Sequence, residues 1–299
     1  MDNPFNKSKL ALIASMVLFG TIGIFRRYIP LPSSVLALAR GLIGALFLVF
    51  LLLVKGSKPS LQAIKENGWL LVASGALIGF NWILLFEAYQ YTSVATATLC
   101  YYMAPVIVIF VSPLLKETLS PRKIICAVVA LLGMVLVSGV LRVGFAGMQE
   151  LKGVLLGLGA AVFYASVIVL NQRIKNISAY DKTLVQLAVA ALVLLPYTLL
   201  TENWGDISFT PVGVILLIVV GVVHTGVAYA LYFGSMNGLK AQTVALMSYI
   251  DPIVAVLLSA LLLRENMGVL EIIGTLLILG AAMISELPEK KKNLYSSSL

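Results

Sequence analysis

The chain has 299 residues, of which 60% are hydrophobic and only 11% are charged, and its formal net charge is +8. Soluble globular proteins carry roughly 45–50% apolar and about 25% charged residues, so this composition excludes a water-soluble domain and indicates an integral membrane protein. Two isolated cysteines and one histidine form no disulfide framework and no metal-binding cluster, so we expect neither a metal nor a cofactor. The positive charge is interpreted as loop charge that orients a membrane protein, not as a nucleic-acid-binding surface.

Ten apolar runs follow one another along the chain, each close to the length of about 20 residues with which a helix crosses a bilayer. The runs do not alternate in polarity as the strands of a membrane barrel do. We therefore expect an all-α polytopic membrane protein with ten transmembrane helices. The predicted spans are Leu10–Phe25, Ser34–Val54, Trp69–Ala88, Ser93–Leu115, Ile124–Leu141, Val154–Leu170, Leu184–Leu200, Pro211–Gly234, Ala241–Leu263 and Gly268–Ser285.

Lysine and arginine are distributed unevenly between the segments that connect these spans. If the N-terminus lies in the cytoplasm, the inner segments hold 15 basic residues and the outer segments hold 5. Because cytoplasmic loops of membrane proteins are enriched in lysine and arginine, this distribution places both termini in the cytoplasm. We expect a multi-pass protein of the cell membrane, that is, of a plasma or inner membrane.

Two segments of the chain repeat one another. The stretch ATATLCYYMAPVIVIF in the fourth run aligns with QTVALMSYIDPIVAVL in the ninth, so that Pro105 matches Pro252 and Tyr102 matches Tyr249. The same offset of 147 residues holds for Gly79 with Gly226 and for Phe86 with Phe233. We expect two five-helix repeats, 1–145 and 146–288, and a basic cytoplasmic tail, 289–299. An odd number of helices inverts the second repeat, and inverted repeats are common in secondary transporters.

These features resemble the EamA-type ten-helix family of the drug/metabolite transporter (DMT) superfamily. The resemblance is carried by the duplication, by the stretch TSVATATLCYYMAPVIVIF with Glu117 after it, and by the matching ninth run that ends LLLRE. It covers nearly the whole chain. The resemblance implies transport of a small metabolite by alternating access, often as export and often linked to protons.

Polar side chains other than serine and threonine are rare inside the predicted spans, and charged groups there are costly and usually functional. Asp251 lies near the midplane of the ninth span, directly before Pro252. Pro105 and Pro252 each remove a helical hydrogen bond, so we expect kinks at both and a central cavity between the kinked helices. Candidate substrate-binding or proton-coupling residues are Asp251, His224, Glu87, Arg40, Asn81, Trp82, Tyr101, Tyr102, Tyr164 and Tyr249.

Two alternatives remain open for Asp251: a role in substrate or proton binding, or a packing role in which it is protonated or pairs only with His224. A further prediction concerns Arg40 and Glu87, which both fall in the outer part of the bilayer on consecutive spans. We expect these two side chains to pair in one state of the outer gate, because an unpaired charge there is costly.

The leading hypothesis for function is a secondary active transporter for a small polar metabolite, such as an amino acid or an amine, with protons as the coupling ion. An acid among aromatic rings suits an ammonium group. The alternative is an intramembrane enzyme that acts on a lipid or another membrane-soluble substrate. The sequence contains neither HExxH nor GxSxG, so we do not expect an enzyme.

Overall fold

A computed structural model describes residues 4–92, 94–138, 148–262, 268–285 and 287. These residues form helices and connecting turns, and none of them lies in a β-strand. The α-helices are α1 (Pro4–Arg27), α2 (Ser33–Val54), α3 (Leu61–Glu66), α4 (Gly68–Tyr91), α5 (Val94–Tyr101), α6 (Ala104–Val111), α7 (Pro121–Ser138), α8 (Met148–Arg173), α9 (Ala179–Thr201), α10 (Pro211–Val219), α11 (Ala228–Ser235), α12 (Ala241–Met247), α13 (Ile250–Leu262) and α14 (Val269–Ser285). A π-helical turn, Val220–Val227, joins α10 to α11.

In the part of the chain that the structure describes, each of the ten predicted spans consists mainly of helix. Within the described residues, seven helical segments are long and apolar enough to cross a membrane, and Ile272–Ser285 is apolar but shorter. The prediction of an all-α polytopic membrane protein is thereby confirmed. The boundary between residues 145 and 146, the predicted tail 289–299 and the predicted span ends Ser93, Leu141 and Leu263 lie outside the described residues.

The fourth and ninth spans are each broken into two helices, as the two prolines predict. Pro105 lies in the first turn of α6, and Pro252 lies in the first turn of α13. Because proline has no N–H, the backbone tightens at both breaks. The Asp251 N–H donates to the Ser248 carbonyl at 3.2 Å, and the Met103 N–H donates to the Cys100 carbonyl at 3.1 Å.

The helices pack in contacts that recur between the two halves of the chain. Helix α4 packs against α8 and α9, and its counterparts in the second half, α11 and the π-helical turn, pack against α1 and α2. Helix α7 packs against α14. Large apolar side chains such as Leu46, Phe50, Leu199 and Leu261 are exposed on the outside of the bundle, which suits contact with lipid tails.

Helices α1 and α13 approach closely beside the ninth-span break. A Cβ added at Gly20 would lie 2.6 Å from the carbonyl oxygen of Asp251 and 2.6 Å from the Cβ of Val254. Only a glycine fits at this contact without a shift of one helix. Gly20 therefore positions the first turn of α13, in which Asp251 lies.

Candidate substrate site

A cavity of about 270 Å³ lies between α1, α2, α4, α5, α8, α11 and α13, and we refer to it as the central cavity. Its size suits a small metabolite, because pockets for drug-sized ligands run from about 300 to 1,000 Å³. The breaks of the fourth and ninth spans both border it. Its lining consists of Met16, Phe19, Ile22, Arg40, Trp82, Leu85, Phe86, Tyr89, Thr98, Tyr101, Tyr102, Tyr164, Tyr229, Tyr232 and Asp251.

Asp251 presents its carboxylate to the central cavity from the start of α13. The hydroxyl of Tyr102 donates a hydrogen bond to Asp251 Oδ2 at 3.2 Å. Tyr102 is itself held at the break of the fourth span, because the Tyr249 hydroxyl donates to the Tyr102 carbonyl at 3.0 Å. The two broken helices are thus joined to each other at the carboxylate.

Arg40 reaches the same cavity from α2. Its guanidinium carbon lies 4.3 Å from the centre of the Trp82 ring, a cation–π contact. Arg40 Nε is buried and has no hydrogen-bond partner in the described part of the protein. A buried donor without a partner is costly, so this guanidinium has capacity left for an acceptor such as a carboxylate.

Aromatic rings separate and surround the two charged groups. Tyr101 stacks on Tyr164 with ring centres 5.3 Å apart, and the hydroxyls of Tyr164 and Tyr232 share a hydrogen bond of 2.7 Å. Tyr229 lies edge-on to Trp82 at 6.1 Å. The cavity therefore offers ring faces, which attract cations, together with hydroxyl groups that donate and accept hydrogen bonds.

The structure brings six of the ten predicted site residues together at the central cavity. They are Arg40, Trp82, Tyr101, Tyr102, Tyr164 and Asp251. The other four, Asn81, Glu87, His224 and Tyr249, lie outside its lining. Each of these four has a hydrogen bond that explains its position.

Asn81 and Tyr249 join helices to each other. The Asn81 side-chain amide donates to the Ala160 carbonyl at 2.6 Å and so fastens α4 to α8. Tyr249 is fully buried behind Tyr102, to whose carbonyl it donates. Both side chains support the cavity wall from behind.

His224 lies on the π-helical turn and faces α1. Its Nε2 lies 2.7 Å from the Thr21 hydroxyl, and its ring lies 4.7 Å from the Phe25 ring. Asp251 accepts from Tyr102, so the alternative in which Asp251 pairs with His224 is not the arrangement seen in this conformation. His224 instead fastens the π-helical turn to α1.

Arg40 and Glu87 are not paired in this conformation. Glu87 accepts a hydrogen bond of 2.6 Å from the Tyr197 hydroxyl, which joins α4 to α9. Arg40 lies on Trp82, one turn deeper in the bundle. The predicted ion pair between Arg40 and Glu87 stays a prediction for another state of the gate.

Sequence reasoning missed Tyr89, Tyr229 and Tyr232, all of which line the central cavity. The sequence repeat could have identified Tyr229, because the offset of 147 residues aligns it with Trp82. The aligned pair meets in the structure, with ring centres 6.1 Å apart. No such match marks Tyr232, which aligns with Leu85.

Several known proteins are similar in sequence to this chain along most of its length. A protein of Bacillus subtilis (strain 168) called uncharacterized transporter YxxF is 29% identical, over 90% of this chain and 86% of its own length. An uncharacterized transporter of Archaeoglobus fulgidus is 28% identical, over 92% of this chain and 94% of its own length. Protein PecM of Dickeya dadantii (strain 3937) is 27% identical, over 72% of this chain and 73% of its own length.

A solved crystal structure shares the fold with a TM-score of 0.81, over 93% of this chain and 97% of that chain, at 21% identity. The model of the EamA-like transporter family matches residues 6–139 and again residues 151–286. These two matches cover most of the chain, and the relatives from Bacillus subtilis and Archaeoglobus fulgidus bear transporter names. The chain belongs to the EamA-like transporter family, a part of the drug/metabolite transporter superfamily, and is a multi-pass membrane protein.

Proposed function

We propose that this protein is a secondary active transporter that moves a small zwitterionic metabolite, such as an amino acid, across the cell membrane. The observation that carries the proposal is the presence of Asp251 and Arg40 in one small aromatic cavity, where they form no ion pair with each other. A carboxylate binds an ammonium group, and a guanidinium binds a carboxylate. A molecule that carries both groups matches both walls, whereas an amine matches only one.

Alternating access is supported by the broken spans. Transporters of inverted-repeat architecture place the substrate beside discontinuous helices near the midplane. Here both breaks border the central cavity and are joined through Tyr102 and Tyr249. We propose that the two halves are inverted copies and that they move against each other around this point.

Glu117 links the fourth span to the ninth at one end of the bundle. Its carboxylate oxygens accept from the N–H groups of Ala241 and Gln242, at 2.7 and 3.3 Å, and so cap the N-terminus of α12. The Gln242 side chain also donates to the Ser112 hydroxyl at 2.6 Å. These bonds tie the end of the fourth span to the start of the ninth, so transport through this end requires that they break.

Proton coupling is assigned to Asp251. The ionised carboxylate attracts an ammonium group, but the protonated carboxyl does not, so a proton and the substrate compete for the same site. Competition of this kind supports the exchange of a proton for a substrate molecule. The other titratable groups that face the same cavity are Arg40, Tyr89, Tyr101, Tyr102, Tyr164, Tyr229 and Tyr232.

Ligand binding tests the substrate class. The thermal midpoint of the purified protein should rise with the concentration of amino acids, because a ligand that binds only the folded state stabilises it. Methyl esters, which lack the negative charge, and N-acetyl derivatives, which lack the positive charge, should each give a much smaller rise. An equal rise with N-acetyl amino acids, or turnover of added lipid in place of flux, would contradict the proposal.

A further inference from the structure

A second cavity lies between α1, α2, α9 and α11 and shares no lining residue with the central cavity. Its volume is about 410 Å³, and we refer to it as the lateral crevice. It is bordered by the first turns of α1 and α9 and by the last turns of α2 and α11, which meet at one end of the bundle. Its lining consists of Lys7, Ser8, Ala11, Phe47, Leu48, Leu51, Ala179, Tyr180, Val227, Ala230, Leu231, Gly234 and Ser235.

The body of the lateral crevice is apolar and is widened by small side chains. Phe47, Leu48 and Leu51 form the wall on α2, and Ala230 and Gly234 leave room on α11. A small polar metabolite would leave its polar groups without hydrogen-bond partners on such a surface, whereas a hydrocarbon chain has no polar groups to satisfy. The crevice therefore fits an aliphatic chain.

The mouth of the lateral crevice is basic. Lys55, at the end of α2, donates to the Tyr180 hydroxyl at 3.1 Å and lies 4.5 Å from the centre of the Tyr180 ring. Lys55 adjoins the lining through Tyr180, and Lys7, which is exposed at the start of α1, is part of the lining. Two exposed lysine side chains beside an apolar slot complement an anionic headgroup that carries acyl chains.

The surroundings supply such a molecule. Leu10, Phe50 and Leu53, which flank the lateral crevice on α1 and α2, are exposed by 68%, 63% and 70%, as expected for side chains that contact lipid tails. Basic pockets between transmembrane helices on the cytoplasmic side bind anionic lipid headgroups. The predicted orientation places Lys7 and Lys55 at that side.

We propose that the lateral crevice binds one anionic phospholipid, with its headgroup at Lys7 and Lys55 and one acyl chain along Phe47 and Leu51. The lipid acts on transport through α11. Ala230 and Gly234 of this helix border the crevice, while Tyr232, on another face, lines the central cavity and bonds Tyr164. A chain in the crevice braces α11 and with it the tyrosine wall of the substrate site.

Native mass spectrometry of the purified protein tests this inference, with phosphatidylglycerol and phosphatidylethanolamine as probes. The protein should retain phosphatidylglycerol in preference to phosphatidylethanolamine. Lys55→Gln should lower the retention of phosphatidylglycerol by about five-fold, the factor that corresponds to one lysine near an anionic membrane surface. The matched control is Lys65→Gln, because Lys65 is exposed on α3, whereas Lys55 is bonded to the lining residue Tyr180.

Two further variants close the crevice itself. Ala11→Phe and Leu51→Phe place a ring in the slot from two different helices, so one remains informative if the other fails to fold. Either variant should abolish retention of phosphatidylglycerol while the thermal midpoint stays near that of the parent protein. Equal retention of both lipids would overturn the proposal, and so would retention of phosphatidylglycerol that survives both ring variants and Lys55→Gln. Loss of retention in the ring variants but not in Lys55→Gln would also overturn it, because that result indicates a slot for detergent or for any acyl chain.

Discussion

At the scale of single residues, three charged groups within the predicted spans have aromatic partners in the structure. Asp251 accepts from the Tyr102 hydroxyl, Glu87 accepts from the Tyr197 hydroxyl, and Arg40 lies on the Trp82 ring. A neutral partner satisfies a buried charge without neutralising it. Asp251 and Arg40 therefore keep an attraction for a charged ligand that an internal ion pair would remove.

A double-mutant cycle distinguishes the partners of Glu87. Glu87→Gln and Tyr197→Phe weaken or remove the same hydrogen bond, so the double variant should lose less stability than the sum of the single losses, by about 1 kcal/mol. The matched cycle of Glu87→Gln with Arg40→Gln should be additive, since these two side chains have separate partners. Both cycles are measured by unfolding in detergent. A coupling energy between Glu87 and Arg40 as large as that between Glu87 and Tyr197 would support the ion pair that the sequence predicts.

Sequence reasoning finds residues whose chemistry is unusual for their surroundings. Asp251 stands out because it is a carboxylate in an apolar run, and the structure places it in the central cavity. The same criterion selects Asn81 and His224, which lie outside the cavity and bond to neighbouring helices. Whether a polar side chain points to a cavity or to a helix depends on packing, which a single sequence does not contain.

At the scale of helices, two interruptions of regular helix border the central cavity. They lie at Pro105 and Pro252, and the kinks predicted from these prolines coincide with the breaks. The π-helical turn Val220–Val227 contributes no residue to the cavity lining, contains no proline and was not predicted. Its neighbour α2 fits against it through Gly44, whose added Cβ would lie 3.0 Å from the Thr225 side chain. Such a contact depends on how two helices pack and not on the sequence of either one alone.

Gly20→Ala tests whether α1 sets the position of Asp251. The added methyl group would meet the Asp251 carbonyl at 2.6 Å, so α13 must shift, and we expect a loss of stability of about 1–3 kcal/mol and a loss of ligand-induced stabilisation. The matched control is Gly280→Ala on α14, where an added Cβ meets nothing within 4 Å. That variant should be neutral or slightly stabilising, because alanine favours helix. The two variants are compared by thermal unfolding with and without amino acids, and equal behaviour would contradict the role of Gly20.

At the scale of the whole molecule, the duplication and the charge distribution support the proposal that the bundle opens alternately to two sides of the membrane. The recurring helix contacts and the two joined breaks support a pair of related halves. The excess of lysine and arginine in alternate loops supports a cytoplasmic position for both termini. The number of spans follows from the sequence because hydropathy alone identifies membrane helices. The bonds between Glu117 and the start of α12 depend instead on the packing of the helices, which hydropathy does not show.

Labelling of introduced cysteines tests the orientation. Gly205→Cys should react with a membrane-impermeant maleimide on intact cells, whereas Ser57→Cys should react only after permeabilisation, because the charge distribution places these exposed loops on opposite sides. The native Cys100 and Cys126 are buried and give little background. The reverse pattern would invert the topology that we propose.

The central claim, proton-linked transport through Asp251, is tested most directly in proteoliposomes with an imposed pH gradient and a radiolabelled amino-acid mixture. When the lumen is acidic, protons that leave through the protein should drive accumulation of label, and dissipation of the gradient should stop it. Asp251→Asn keeps the shape of the side chain and removes its charge, so it should fold and yet accumulate no label. Glu87→Gln, which neutralises an acid outside the central cavity, serves as the control and should still accumulate label. Accumulation by Asp251→Asn at the rate and pH dependence of the parent protein would contradict the account.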